Sequence, residues 1–348
     1  MAINVKKKQS REIRIGKVRI GGRNPVLVQS MCNTDTKDIR STIRQIHSLE
    51  KAGCEIVRVA VPDMQSASAL RDILSSISIP LVADIHFDYR LAIEAARYCD
   101  KIRINPGNIG SETRIKAVID AAKKNRTAIR IGVNSGSLDR RNKLPVAEAM
   151  CKSAVQHLNF FEKNGFHESV VSLKASSPLE TIEANRLFRE VSDYPLHIGV
   201  TEAGPLLSGS IRSAVGIGAL LSEGIGDTIR VSLTDDPVRE IEVGYQILQS
   251  LGLRQRMRTI ISCPTCARTH GELIPFAKEV ESMTADLKKP ITIAVMGCEV
   301  NGPGEAKAAD LGVAMTKCGG VIFKKGKSIG QFPKRRLLCA FKKELNRL

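Results

Sequence analysis

Three cysteines in this 348-residue chain are spaced as ligands: Cys263 and Cys266 in Ser262-Cys263-Pro264-Thr265-Cys266, and Cys298 in Met296-Gly297-Cys298. A C-x-x-C turn sets two thiolates side by side, and a third from a distant loop can close on the same site. Three thiolates hold three corners of a cubane cluster and leave one iron without protein sulfur, whereas electron-transfer clusters use four. That open corner suits substrate chemistry. The turn Asn301-Gly302-Pro303-Gly304 is placed to return Glu305 as a weak oxygen ligand there. Cys263, Cys266 and Cys298 with His270 would equally form a Cys₃His zinc site. Spacing alone leaves both open. Cys54, Cys99, Cys151, Cys318 and Cys339 have no partner at ligand spacing and read as packed core, Cys318 being the one to check as a further ligand.

A second constellation is basic. Arg58, Arg103, Arg130, Lys174 and Arg230 stand at or near the ends of short β-branched runs, with Gln29, Ser30, Asp84, His86, Asn105, Asn134, Thr201, Glu202 and Ser232 at comparable places. A charge turned into an aliphatic core carries a desolvation penalty of several kcal/mol unless it is paired. Only Asp84 and Glu202 are obvious partners. Converging guanidiniums therefore point to a clamp for a strongly anionic ligand, since their planar forks grip phosphate oxygens two at a time. Glu202, a carboxylate among cations, is placed to act as acid or base, with His86 a weaker candidate.

The elements that must position these residues follow from hydrophobic period. Apolar runs begin near residues 26, 55, 81, 101, 128, 169, 196 and 228. Each gap holds one helix and two loops. Ile39, Ile43, Ile46 and Leu49 share a helical face that ends at Gly53, while Pro178 and Pro237 open later helices. Eight strands alternating with eight helices is the count of an α/β (β/α)₈ TIM barrel. The rival is a doubly wound sheet, but its GxGxxG turn is missing near Val28, and nothing indicates a hydride cofactor. From about Leu253 cysteines cluster and short strands such as Ile291–Val295 and Val321–Phe323 adjoin basic stretches, before a last helix from Lys334 to about Asn346. The expected organisation is a barrel over residues 1–252 and a small α+β iron–sulfur domain over 253–348.

Composition narrows the class. Lys and Arg number 53 against 36 Asp and Glu, a net charge of +17, and apolar residues make up 43% with no Trp. The chain can bury enough surface to offset its ordering entropy, which excludes disorder. No apolar run reaches the ~18 residues of a membrane span. Lys6-Lys7-Lys8 has no apolar segment behind it, which argues against secretion. Nine cysteines, an odd number, fit a reducing cytoplasm better than a disulfide framework. A zinc-stabilised nucleic-acid-binding protein would use the positive charge, but aromatics for base stacking are only 4%. Lys6-Lys7-Lys8 and Lys334-Arg335-Arg336 read as solvated surface, and neither nucleic acid nor membrane is the expected partner.

Cys263-Pro264-Thr265-Cys266, Met296-Gly297-Cys298 with Asn301–Glu305, Ile102-Arg103-Ile104-Asn105-Pro106-Gly107-Asn108 and Val133-Asn134-Ser135-Gly136-Ser137 together resemble the 4-hydroxy-3-methylbut-2-enyl-diphosphate synthase family, in its compact two-domain bacterial form. The resemblance runs from about residue 10 to about 335. It implies a [4Fe–4S] cluster held by Cys263, Cys266, Cys298 and Glu305. It implies reductive dehydration and ring opening of 2-C-methyl-D-erythritol 2,4-cyclodiphosphate, in the non-mevalonate route to isoprenoids. The diphosphate would be held by Arg58, Arg103, Asn105, Arg130, Asn134, Lys174, Arg230 and Ser232, with Glu202, His86 and Glu305 as the catalytic set. The resemblance also implies a homodimer in which one subunit's cluster domain caps the other's barrel. The basic excess suits an acidic electron donor, flavodoxin or ferredoxin. One departure is Cys32, where the family pattern has Thr, a position that would bear on oxidation sensitivity. Another barrel enzyme of an anionic substrate, such as a pterin-dependent methyltransferase, is the remaining rival.

Overall fold

A short antiparallel hairpin, β1 (Ile13–Ile15) and β2 (Val18–Ile20), comes first along the chain. Its Ile13, Ile15 and Ile20 are buried. The hairpin is absent from the sequence expectation because each strand has only three residues, and every second one is charged or polar. Its turn needs Gly16, at φ 53°, where a Cβ would lie 2.3 Å from the Asp100 carboxylate. The computed structural model describes residues 8–138, 144–285, 287, 289–298 and 306–348. It divides the chain into two units after Arg254.

The first unit is the eight-stranded barrel that the alternating runs imply. Its strands are β3 (Leu27–Met31), β4 (Ile56–Ala60), β5 (Leu81–Asp84), β6 (Lys101–Ile104), β7 (Ala128–Asn134), β8 (Ser169–Lys174), β9 (His197–Ile198) and β10 (Thr228–Ile229). They pair in parallel, in the order β8-β7-β6-β5-β4-β3-β10-β9. A parallel bridge from Val171 to Leu196 closes the ring between the two ends of that order. Strand β3 runs to Met31, so Gln29 and Ser30, expected at a strand end, lie inside it.

Helices α1 (Ile39–Ala52), α2 (Met64–Ser75), α3 (Tyr89–Ala95), α4 (Pro106–Ile109), α5 (Glu112–Asn125), α6 (Val146–Lys163), α7 (Pro178–Val191), α8 (Leu206–Ser222) and α9 (Pro237–Ser250) fill the connections. Local chemistry sets their ends. Asp38 caps α1 by accepting from the Ser41 N–H at 3.0 Å, and Gly53, at φ 109°, closes it in the left-handed region. Ser177 and Pro178 open α7, and Asp236 and Pro237 open α9. Ile46, Leu49, Ile182, Phe188, Ile241, Tyr245 and Leu248 turn their buried faces to the strands.

The second unit is a five-stranded mixed sheet. Strands β11 (Thr259–Ser262), β12 (Thr292–Met296) and β13 (Leu311–Thr316) run parallel, and β14 (Gly319–Lys324) and β15 (Lys327–Pro333) add antiparallel to that edge. Helices α10 (Leu273–Met283) and α11 (Lys334–Leu345) supply Leu273, Val280, Leu337, Phe341 and Leu345 to a core with Ile293, Val295, Leu311, Val313 and Ile322. None of the described helices is long and apolar enough to cross a membrane.

Candidate active site

Period-two alternation decides which strand residues face the barrel interior. In the observed register Asp84 lies beside Arg103, and Arg103 beside Arg130, so the three form one row across β5, β6 and β7. Arg58 faces the same interior from β4, Lys174 from the end of β8 and Arg230 from just past β10. Arg58, Arg103, Arg130 and Lys174 are all at most 9% exposed. Two glycines make the room. A Cβ at Gly132 would come within 2.7 Å of Arg103 Nε, and one at Gly199 within 2.8 Å of Lys174 Nζ.

Few carboxylates answer this charge. Asp84, 3% exposed, accepts a hydrogen bond from Arg103 Nη1 at 3.1 Å, stands 3.9 Å from Arg58 Nε and lies 3.3 Å from His86 Nε2. Burial alone would raise its pKa, but Arg58, with His86, Arg103 and Arg130, holds the carboxyl far below the usual range. The second partner is Glu240 of α9, buried at 4%. It accepts from Arg230 Nε at 3.3 Å and Nη2 at 3.2 Å, from Ser30 Oγ at 3.0 Å and from the Leu233 N–H at 3.1 Å. Glu202, the expected partner, is exposed at the loop after β9, and among the described residues Arg58, Arg103 and Arg230 pair with Asp84 and Glu240 instead.

Burial and the surrounding guanidiniums lower Arg58 to about 10, and push Arg130 and Lys174 well below their ordinary values. Nε and Nη1 of Arg130 have no hydrogen-bond partner among the described residues. Unanswered buried cations are costly, and an anion placed among them would relieve that cost. Asn105 Nδ2 donates to Ser137 Oγ at 2.9 Å, and Ser137 Oγ donates to the Asn134 carbonyl at 2.8 Å, which ties the two predicted asparagines to one turn. Ser232, half-buried, follows β10. His86 lies with its side chain 53% exposed beside Asp84 and 3.4 Å from Arg103 Nη1. Glu202 adopts φ 52°, a left-handed conformation uncommon for a residue with a side chain.

In the second unit the C-x-x-C turn follows β11, and Cys298 follows β12, its parallel neighbour. The Gly297 N–H donates to Cys263 Sγ at 2.9 Å, one residue from Cys298. Cys266 is fixed by its N–H to Thr269 Oγ1 at 2.9 Å, and the next residue, His270, donates its N–H to the Gly297 carbonyl at 2.8 Å. The Cys266 thiol is shifted down, first by a backbone hydrogen bond from Arg268. These turns bring three thiols to one end of the sheet. Among the described residues no three His, Cys, Asp or Glu side chains are drawn to metal-binding distance. Glu305 and the Asn301–Gly304 turn lie outside the described residues. Thiol donors, a backbone N–H aimed at one sulfur and a lowered thiol suit an iron–sulfur cluster. Cys318 sits exposed between β13 and β14.

Cys32 corrects an expectation. It is 7% exposed, and burial raises its thiol to about 12, which withholds the reactive thiolate. The sequence reading also passed over Glu240, Lys101 and His197. The burial of Glu240 had a sequence signal, its place on the apolar face of α9 with Ile241, Gly244 and Tyr245, but its pairing with Arg230 had none. Lys101 shares the parity of Arg103 on β6.

The model described as GcpE TIM-barrel domain matches residues 10–245, and that described as GcpE protein C-terminal domain matches residues 259–347. A protein of Caldanaerobacter subterraneus subsp. tengcongensis named 4-hydroxy-3-methylbut-2-en-1-yl diphosphate synthase (flavodoxin) is 55% identical, over 98% of this chain and 98% of its own length. One of Lawsonia intracellularis with the same name is 51% identical, over 99% and 98%. Among solved structures, dihydropteroate synthase of Burkholderia cenocepacia superposes with a TM-score of 0.52 at 12% identity, over 71% of this chain and 100% of that one. That likeness shows the barrel fold alone.

Proposed function

This chain belongs to the GcpE family, and from that premise we infer that it catalyses the step its relatives are named for, the formation of 4-hydroxy-3-methylbut-2-en-1-yl diphosphate in isoprenoid biosynthesis. Neither the nucleic-acid-binding reading nor the methyltransferase reading is favoured. The observation that carries the site assignment is the row of buried cations on one barrel face, with two carboxylates to answer them.

In this reading the first unit holds the cyclodiphosphate. Arg58, Arg103, Arg130, Lys174 and Arg230 take the phosphate oxygens, and Asn105, Asn134 and Ser232 supply neutral donors at the rim. Asp84 and Glu240 keep Arg103 and Arg230 aimed before substrate arrives, which lowers the ordering cost of binding. Ring opening to the product takes two electrons and two protons and releases one oxygen as water. Glu202 is the proposed proton donor, with His86 oriented by Asp84. The left-handed backbone at Glu202 supports this role, since such strain persists where surrounding structure fixes a functional residue.

Cys263, Cys266, Cys298 and Glu305 would hold a [4Fe–4S] cluster. When bound, the cluster supplies single electrons and an iron with an open coordination position. The relatives' names support flavodoxin as donor, and the net charge of +17 suits docking of an acidic partner; ferredoxin would use the same charge. A head-to-tail homodimer is the proposed assembly. Leu207, Ile211 and Val215, one helical turn apart on α8, are 77%, 57% and 49% exposed, an apolar stripe that a second copy could cover. The decisive measurement is metal and sulfide analysis of anaerobically purified protein. About four iron and four sulfide per chain are expected for the cubane assignment, and Cys298→Ala should lose them. A single zinc would overturn the assignment.

A further inference from the structure

Beneath the cation row lies a second polar layer that the proposed reaction does not use. Lys101 stands two residues before Arg103 on β6, so it faces the barrel interior one step nearer the N-terminal ends of the strands. His197 lies beside Thr228 across β9 and β10, and Gln29 faces inward from β3. Lys101 and His197 are 0% exposed and Gln29 1%. Lys101 Nζ, His197 Nε2 and both polar side-chain atoms of Gln29 have no hydrogen-bond partner among the described residues. His197 engages only through Nδ1, 2.9 Å from Thr228 Oγ1.

The groups that face Lys101 are mostly cationic. Arg58 reaches towards it from β4, Arg130 from β7 and His197 from β9, while Asp100 precedes it on its own strand. The Asp100 carboxylate is engaged by the Leu81 N–H at 2.9 Å and faces Lys17 of the β1–β2 hairpin. Asp84 from β5, Arg103 from β6, Lys174 from β8 and Arg230 from β10 complete the charged groups above. An ammonium here is shut off from bulk solvent and has no dedicated carboxylate among the described residues, whereas an uncharged amine is tolerated.

We propose that this layer is a buried proton site coupled to the anion site above it: when a diphosphate-class anion settles on Arg58, Arg103, Arg130, Lys174 and Arg230, Lys101 takes up a proton. The inference rests on the diphosphate reading of the cation row. The proton comes from buffer acid, which is left as its conjugate base, and Lys101 becomes an ammonium in the wall of the site. The sign follows from the field. Burial, with Arg130 and Arg58, presses Lys101 well below the ordinary lysine range, and a bound polyanion cancels that repulsion and raises it. Between the two values binding takes up a proton, and above the higher or below the lower it takes up none. Lys174 feels the same field and adds its own share.

The test is isothermal titration of the full-length, cluster-loaded protein with inorganic pyrophosphate near pH 8, in two buffers of different ionisation enthalpy. The difference in heat counts the protons exchanged. Proton release by pyrophosphate itself is common to all three proteins, so the comparison carries the result: Lys101→Gln and Lys101→Met should each take up about one proton fewer than wild type and bind with a flatter pH dependence. Equal uptake in wild type and variants overturns the role of Lys101 and leaves the diphosphate reading standing. Absence of pyrophosphate binding to wild type overturns both.

Discussion

Asp84→Asn isolates one charge in the barrel while keeping the shape of the side chain. In wild type the carboxylate lies 3.1 Å from Arg103 Nη1, 3.9 Å from Arg58 Nε and 3.3 Å from His86 Nε2, at 3% exposure. Its pKa is lowered on folding, so its contribution is complete above the unfolded value of about 3.9 and is lost as pH falls from there through the folded one. At neutral pH the contribution is whole. Removing one partner of a buried pair costs about 3–5 kcal/mol, because the other charges are left uncompensated. At roughly 2–4 °C per kcal/mol for a domain of this size, the barrel should melt about 6–20 °C lower. Pyrophosphate should recover part of that loss, since its oxygens replace the missing negative charge. The assay is anaerobic thermal unfolding of both proteins with and without pyrophosphate. An unchanged melting temperature, or the same ligand-induced gain in both proteins, refutes the reasoning.

Gly132→Ala should push Arg103 off its place, because the added Cβ meets Nε at 2.7 Å. Losing one charge-assisted hydrogen bond to substrate costs about 1.5–3 kcal/mol, so KM should rise roughly 10–100-fold, and an unaltered KM would remove Arg103 from the clamp. Glu202→Gln should lower kcat by roughly 10²–10⁴-fold and leave pyrophosphate affinity unchanged; full turnover in the variant would eliminate Glu202 as proton donor. Thiol labelling of the native protein near pH 8 should modify exposed Cys318 and Cys339 and spare Cys32, whose thiol burial raises to about 12. Labelling of Cys32 at the same rate as the exposed pair would contradict that burial.

The barrel was legible because its signals are local and repeated. Runs of β-branched residues, helix faces such as Ile39–Leu49, and openings such as Ser177-Pro178 each specify an element without help from the rest of the fold. The β1–β2 hairpin was not, since strands of three residues alternating Ile with Arg have no period long enough to register. The cations were legible as strand-end charges, and so was Asp84 as one partner, but which carboxylate answers Arg230 was not. Glu202, four residues past β9, looked the natural counter-ion, yet Arg230 turns instead to Glu240, which the α9 helix carries back over the barrel. A contact between a strand end and a helix face ten residues later depends on the angle at which α9 packs, which no spacing rule records. Lys101 was missed for a different reason. Its parity with Arg103 was plain, but a residue at the start of a strand is read as leaving the core, and only the closed barrel shows that it does not.

The pairing pattern says where an incoming anion must place its charge. Glu240 spends both oxygens on Arg230 and adds Ser30 and the Leu233 N–H, so Arg230 is answered before any ligand arrives. Asp84 divides one negative charge between Arg103 and Arg58. Arg130 has two guanidinium nitrogens without partners among the described residues, and Lys174 lies in the field of Arg130, Arg230, Arg58 and Arg103. The unanswered charge therefore lies on β7 and β8, opposite the side where Glu240 enters. An anion that only needed attraction would be served by any basic surface of this +17 chain. In the proposed reading, one held by this barrel would be drawn to a particular side, with Arg58, Arg103 and Arg230 placed to take its remaining oxygens. Glu202 follows β9 and His86 follows β5, on opposite sides of the ring, so a ligand held this way would have its remaining end between the two.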